Sequence, residues 1–421
     1  MNNIQYFLFF PLLLVFLFFH LESCDEKKRH KGGLKSDPHI SKIYRGISVD
    51  SIEATVRSLR NYHTQNDIDA VRHWIYDTFK KYEEASDHNL KVSYTYSSEE
   101  EDSAEIVNIA AVLPGAQLES KERMYVVSGL YDPPQSDRDN HMRYIPNTAV
   151  IMELVRTMSE HEFDATLIFL IPVDRKKNRT GAAHFIEEIQ KYNLQIAGMV
   201  LNDLASHKHR ANKNKNEVEI SVPGISDGAN LNTSNDIQSR ELGQYFYEMA
   251  EQFVPHISVK IVEREDAERG NEAIFADFNE YPVVQLNPPG HEDQKRGETL
   301  PADAARYVDY NYLHQVVKLN AAVLSTLANA PAGPSEVRAD ITQSDDNIGL
   351  QWEPNNEPDL KGYEIVWRSM DEPYWTDSEF IGDTTAFTLK GVSTDDHFFG
   401  IRAVDRYDHK SPAAFPMSVH D

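Results

Sequence analysis

One cysteine, Cys24, occurs in a chain of 421 residues. With no second thiol there is neither an internal disulfide nor a cysteine-based zinc site. Basic residues are scarce beside acidic ones: 42 Lys and Arg face 67 Asp and Glu, a formal net charge of −25 with no long acidic tail. Phosphate backbones would be repelled, so nucleic acid is excluded as a partner. Long apolar runs are also few. The main one, Phe7–Phe19, is interrupted by Pro11 and falls short of the ~20 residues that a membrane-spanning helix needs. No internal repeat, phosphate loop or Gly-x-Ser-x-Gly elbow is present, which leaves serine-hydrolase and nucleotide chemistry without a sequence basis. The glycine-rich stretch Pro223–Asn230 lacks the strand-to-helix context of a nucleotide site.

What is there suits a folded, multi-domain protein. Apolar residues make up 40% and charged residues 26%, ordinary for a globular chain, and the length predicts two or three domains. The apolar run over residues 7–19 reads as the core of an export signal spanning residues 1–23. Leu21, Glu22, Ser23 and Cys24 follow it and resemble the loose lipobox of bacterial lipoproteins, in which cleavage leaves a lipid-modified N-terminal cysteine. Cys24 is accordingly expected to be lipidated, and residues 24–37, rich in Lys and other charged residues, to be a solvated tether. This predicts an exported cell-envelope lipoprotein held to a membrane by its lipid, the alternative being a secreted protein.

From Asp37 the apolar pattern becomes helical, with Ile52, Val56 and Leu59 in one segment and Ala70, Val71, Trp74, Ile75, Phe79 and Tyr82 in the next. The period then changes. Residues 90–96 alternate, while 106–113, 124–129, 165–173, 197–201 and 283–286 are short apolar runs of buried strands, with a further strand at 257–262. Helices are expected at 149–158, 180–192, 238–253 and 303–328. This alternation predicts an α/β fold, a mostly parallel sheet sandwiched by helices, with chemistry at the carboxyl ends of the strands. The loops at 130–147, 174–179, 202–210 and 287–299 are then the places to look.

Residues 330–334, Ala-Pro-Ala-Gly-Pro, break this regime and read as a linker. Beyond it, 348–352, 362–368, 385–389 and 397–405 are strands separated by turns, an all-β sandwich over 335–421. The spacing of Leu350, Trp352, Gly362, Tyr363 and Phe399–Asp405 resembles a fibronectin type III domain. The Pro and Gly linker predicts that this sandwich folds on its own.

Several stretches in the first domain, 38–329, belong together: Arg60–Asp67 with the Trp74–Ile75 helix, Ile106–Gly115, Tyr125–Asp132, Asn202–Asp203 and Tyr281–Val284. They resemble the secreted zinc aminopeptidases of metallopeptidase family 28, some of which also carry a C-terminal fibronectin-like domain. The resemblance implies two zinc ions that polarise a scissile carbonyl and activate a bridging water, with a Glu as general base. This chain departs from that pattern at most of the corresponding positions. Leu130 stands where the family has its first His ligand, and Asp132, which would support that His, has no ligand to orient. Counting back from Glu153 places Arg143 at the bridging carboxylate, and no Asp or Glu occurs between Asn140 and Met152. The family's Gly-Glu-Glu aligns with Asp174, Arg175, Lys176 and Lys177. Asp203 alone keeps its ligand type, and His291 is the candidate for the last His.

Five positions with one firm ligand cannot hold two zinc ions, and Arg175, Lys176 and Lys177 would oppose a dication. Asp203 is expected to pair with Lys176 or Lys177 in place of metal. His207 and His209 could chelate, but Lys208 and Arg210 flank them, so a solvated basic loop is the expectation. The leading functional expectation is therefore a catalytically inactive aminopeptidase-fold protein without a cofactor, which binds a peptide or protein ligand. Two alternatives stand beside it: an active zinc aminopeptidase with a rearranged metal site, and surface adhesion or glycan binding through Trp352, Trp367 and Trp375 of the fibronectin-like domain.

Overall fold

Helix α1, Pro38–Gly46, opens on a proline, whose fixed φ suits a first helical turn. Helices α2, Val49–Thr64, and α3, Ile68–Ala85, follow. The start of α2 is capped from a distance: Glu153 accepts from the Ser48 N–H at 2.8 Å and the Ser51 hydroxyl at 2.7 Å. Glu153 lies on α4, Ile145–Met158, and is also bound by Arg156. A buried carboxylate thus meets the positive end of one helix while lying on another. The computed structural model describes residues 38–64, 68–96, 106–129, 145–172, 181–204, 216–223, 234–264, 281–289, 308–340, 347–372, 374–393 and 396–418.

Eight strands form the main sheet: β1 Lys91–Tyr96, β2 Ile106–Leu113, β3 Arg123–Gly129, β4 Thr166–Pro172, β5 Gln195–Asn202, β6 Glu217–Pro223, β7 Ser258–Arg264 and β8 Val283–Asn287. Their order is β1-β2-β4-β3-β5-β8-β6-β7. The centre, β4-β3-β5-β8, is parallel, whereas β1 and β2 run antiparallel at one side and β6 pairs antiparallel with β8 at the other. Central strands covered on both faces must be apolar on both, and every residue of β4 is buried. Alternation divides them. Ala111, Val127, Phe169, Val200 and Leu286 pack with α2, α4, α6 (Ser234–Phe253) and α7 (Tyr310–Asn329). Ala110, Val126, Leu170, Met199 and Val283 pack on the opposite face against Phe185, Ile186 and Ile189 of α5, Gly181–Tyr192. The α/β architecture with a large, mostly parallel sheet is as expected. Helix α7 begins at Tyr310, seven residues after the position read from the sequence, where Asp309 caps it by accepting from the Tyr312 N–H.

The C-terminal region holds two small sheets. β9 Ser335–Asp340, β10 Asn347–Glu353, β13 Ala386–Lys390 and β15 Met417–Ser418 form one, in the order β13-β10-β9-β15; β12 Asp377–Gly382, β11 Leu360–Ser369 and β14 His397–Asp405 form the other. Their shared core joins Leu350, Trp352, Tyr363, Ile365 and Ile401, with the Trp352 and Tyr363 rings edge-on at 5.2 Å. Trp367 packs against the same core. Trp375 donates its Nε1–H to Glu241 of α6. Trp352 is thus a core residue, while Trp367 and Trp375 are partly buried and engaged within the protein.

Residues Leu34–Asp421 make one compact unit. The C-terminal sheets lie against α6, where Arg402 of β14 binds Glu248, Tyr374 stacks on Tyr247 with centroids 3.6 Å apart, and the Tyr245 hydroxyl donates to the Lys410 carbonyl. The 330–334 segment is tied down rather than free. Ala330 is buried and its carbonyl accepts from Arg123, while the Ala332 N–H donates to Glu357 at 2.6 Å.

Candidate functional site

The carboxyl ends of β3, β4, β5 and β8 gather at one edge of the sheet. In register, Asn202 of β5 stands beside Gly129 of β3 and Leu286 of β8, and Asn108 of β2 stands beside Pro172 of β4. Helix α4 begins at this same edge. A Cβ on Gly129 would lie 2.5 Å from the Asn147 carbonyl oxygen, so glycine is what allows the helix to press against the strand end. Asn147 is fully buried and accepts from the Leu204 N–H at 2.7 Å, which fastens the first turn of α4 to the residue after Asp203.

Polar side chains line the edge in two groups. On the face toward α7, Asn202 and Asn320 exchange amide hydrogen bonds at 3.3 and 3.1 Å, and Asn320 also donates to the Val316 carbonyl. The second group crosses three strands. Asn287 Nδ2 donates to Ser221 Oγ at 2.9 Å, Gln285 Nε2 donates to Asn287 Oδ1 at 2.9 Å, and the same Nε2 lies 3.3 Å from Asp203 Oδ2. Ser221, Gln285 and Asn287 are buried, and Asp203 is half-buried at the end of the chain of bonds. The Asp203 backbone N–H donates to the Leu286 carbonyl at 2.9 Å, extending the β5–β8 ladder by one residue. Buried polar groups so connected fix each other's orientation, and here they present an amide N–H to Asp203. Glu219 of β6, buried and in register with Asn287, is a second carboxylate at this edge and pairs with Lys260 at 3.5 Å.

Of the positions singled out in the sequence, Asp203 is the one placed here. Leu130, Asp132, Arg143, Lys176, Lys177 and His291 lie outside the described residues, as do His207, His209 and Cys24. Gly129 directly precedes Leu130 in the chain, and Pro172 and Pro289 mark where the described segments leading to the lysines and to His291 end. Gln285, Asn287, Asn202, Asn320 and Asn147 were not recognised as site residues. Gln285 carried a usable signal, as a single amide inside the apolar strand Val283–Leu286.

Zinc takes His, Cys and carboxylate donors. Among the described residues no three such side chains group closely enough to hold a metal ion. At the edge itself stand two carboxylates, Asp203 and Glu219, and several amides, and one of the amides, Asn147, leaves its Nδ2, a hydrogen-bond donor that would face a cation unfavourably, without a partner. The described residues do not fit a two-zinc centre.

Solved structures share the fold of the sheet and its helices. LapB from Legionella pneumophila superposes with a TM-score of 0.55 at 11% identity, over 70% of this chain and 76% of that one. The Legionella pneumophila LapA aminopeptidase gives 0.55 at 14% identity with the same coverage. The fold is aminopeptidase-like. A glutaminyl cyclase from Macrostomum lignano shares it as well, with a TM-score of 0.50 at 12% identity, over 69% of this chain and 92% of that one. An aminopeptidase-like fold therefore does not by itself select the chemistry. No protein-family model matches the chain. Curated relatives are fungal proteins named "Probable zinc metalloprotease". One from Pyrenophora teres f. teres is 27% identical over 90% of this chain and 87% of its own length. Another, from Phaeosphaeria nodorum, is 24% identical over 90% and 88%. Their fungal origin lends no support to the bacterial source read from residues 21–24.

Proposed function

We propose that the chain is an aminopeptidase-fold protein that no longer hydrolyses peptides and uses the strand-end edge to bind a peptide or protein ligand. The donor set carries this reading. Hydrolysis by two metals needs a bridging carboxylate, a general base and several ligands of the right type. In sequence, Leu130 follows Gly129 at the end of β3, Arg143 stands two residues before α4, and Lys176 and Lys177 follow β4. Among the described residues at the edge, Asp203 is held by the Gln285 amide and Glu219, in register with Asn287, pairs with Lys260; no third His, Cys or carboxylate joins them in a group that could hold a metal. A lysine ammonium from the 174–177 loop would then neutralise Asp203 where a zinc ion does so in an enzyme.

In the same reading, residues 38–329 form the aminopeptidase-like domain and 335–421 a fibronectin type III-like domain joined through 330–334. The chain is exported, and Cys24 is the lipidated residue that holds it at the cell envelope. Cys24→Ala should release the protein from the membrane fraction; unchanged partitioning would count against lipidation.

One observation favours the second reading, an active zinc metallopeptidase with a rearranged site: relatives matching 90% of the chain bear the name of zinc metalloproteases. The two readings separate in a single experiment. Protein purified without chelator should contain well under one equivalent of zinc and release no nitroaniline from aminoacyl-nitroanilides with zinc added. Stoichiometric zinc, with hydrolysis lost on chelation, would establish the second reading instead.

A further inference from the structure

A carboxylate short of partners lies buried in the seam between α6 and the C-terminal sheets. Glu241, on α6, is 2% exposed. Its Oε2 accepts from Trp375 Nε1 at 3.1 Å, and its Oε1 has no hydrogen-bond partner. The charges around it are engaged with other groups. Arg402 binds both oxygens of Glu248, Lys410 binds both oxygens of Glu364, and Arg240 meets Glu263 at 3.3 Å. Arg368 also faces this region, but it lies over the rings of Phe398 and Trp375, at 4.5 and 5.6 Å from their centroids, and donates to the Glu372 carbonyl. An ionised Glu241 would be a buried charge with no salt bridge of its own, whereas a protonated one is a neutral acid with one oxygen bonded.

A second carboxylate, where the segment before β4 rather than α6 meets the C-terminal region, points the same way. Asp164, just before β4, faces Asp359 and Asp405 of the C-terminal region, with His409 and Arg123 as the opposing groups. Burial first, and then these two carboxylates, push Asp164 up to about 6. For Glu241 burial, with a smaller push from Glu248, dominates over the pull of Arg402, of the Trp375 hydrogen bond and of the Ala413 backbone hydrogen bond, and lifts the carboxyl to about 7.

We propose that docking of the C-terminal sheets on α6 is proton-linked: Glu241 holds a proton in the docked state, and the seam tightens as the medium is acidified from neutrality. The sign follows from linkage. A carboxyl whose docked value is raised gives stability that is complete below its ordinary value of 4.5 and is lost as pH climbs to about 7. Asp164 adds a smaller contribution in the same direction, from 3.8 to about 6. A protein built this way holds its two regions firmly in an acidic medium and loosens them at neutral pH.

Hydrogen exchange of the full chain tests this, read at peptides covering α6 and Trp375 and corrected for intrinsic exchange. Between pH ~4.5 and ~7 the opening constant of the wild-type seam should rise by up to about tenfold per unit. Glu241→Gln, which keeps an acceptor for Trp375 and cannot ionise, should lose most of that slope; Asp164→Asn should lose a smaller part. Wild-type protein gives a readout that needs no variant, an infrared carbonyl band of a protonated carboxylic acid present at about pH 6 and gone by about pH 8. A Glu241→Gln profile that superposes on the wild type, or absence of that band, would overturn the proposal.

Discussion

Arg402 and Glu248 meet fork to fork, Nη2 to Oε1 at 2.7 Å and Nη1 to Oε2 at 2.9 Å, across the seam between β14 and α6. The Arg402 side chain is 4% exposed and that of Glu248 23%. A bidentate pair in so little water depends on both members, because Glu248 alone loses its bound cation and Arg402 alone keeps only its attraction to Glu241 and Glu364. Arg402→Leu should therefore cost about 3–5 kcal/mol in urea denaturation. Glu248→Leu added to it should recover a large part of that loss. A double variant as unstable as the single one would mean that packing of the arginine stem, and not its charge pairing, holds the seam.

The reciprocal amides of Asn202 and Asn320 are a second paired device, placed directly beneath the strand-end edge. Asn320→Leu leaves the Asn202 carboxamide buried with lost partners, and the expected loss is about 1–3 kcal/mol. Replacing both asparagines with leucine removes the orphaned groups, so the double variant should be closer to wild type than the sum of the singles. Strict additivity, measured by thermal or urea unfolding, would show that the pair is not coupled.

These two devices mark where the sequence is easy to read and where it is not. Strands β3, β4 and β5 stand out as apolar runs because both of their faces are covered. Strand β6 was not recognised: it begins with alternating Glu217, Val218 and Glu219, directly after a stretch rich in Lys and Asn. Strands β9 and β12 are mostly exposed and carry few apolar residues to mark them. At the edge, Asp203 was legible because its carboxylate follows an apolar strand and because a family resemblance pointed to it. The side chains around it come from three other elements, β8, β6 and α4, and one-dimensional spacing contains nothing that brings Gln285, Ser221 and Asn147 to the same place.

Close approach of backbone to backbone gives a sharper test at Gly129. A Cβ there would meet the Asn147 carbonyl oxygen at 2.5 Å and the Ile151 side chain at 2.7 Å. Neither strand end nor helix start can retreat without moving the other, so Gly129→Ala should destabilise by about 1–3 kcal/mol. Gly198 serves as the control. The nearest atoms to a Cβ at Gly198 belong to the Leu242 and Tyr125 side chains, at 3.3 and 3.4 Å, which can shift slightly. Gly198→Ala should cost less than Gly129→Ala, and a reversed order in calorimetry would show that α4 is not pressed against the end of β3.

Gln285 is the residue through which the edge can be probed most directly. Its Nε2 donates to Asn287 Oδ1 and approaches Asp203 Oδ2. Gln285→Glu keeps the shape but exchanges the donor for a second carboxylate oxygen, about 3 Å from Asp203, where like charges resist joint ionisation. The pair should then retain a proton more strongly when folded than when unfolded. Its stabilising contribution is present at low pH and is lost as pH rises, so the variant should be weaker than wild type by about 1–3 kcal/mol at neutral pH and approach it near pH ~4. Gln285→Leu supplies the contrast: it removes the donor without adding charge, and its deficit should not shrink on acidification in the same way. If the glutamate variant shows a deficit that is constant between acidic and neutral pH, Asp203 and residue 285 do not share the electrostatic environment that their geometry implies.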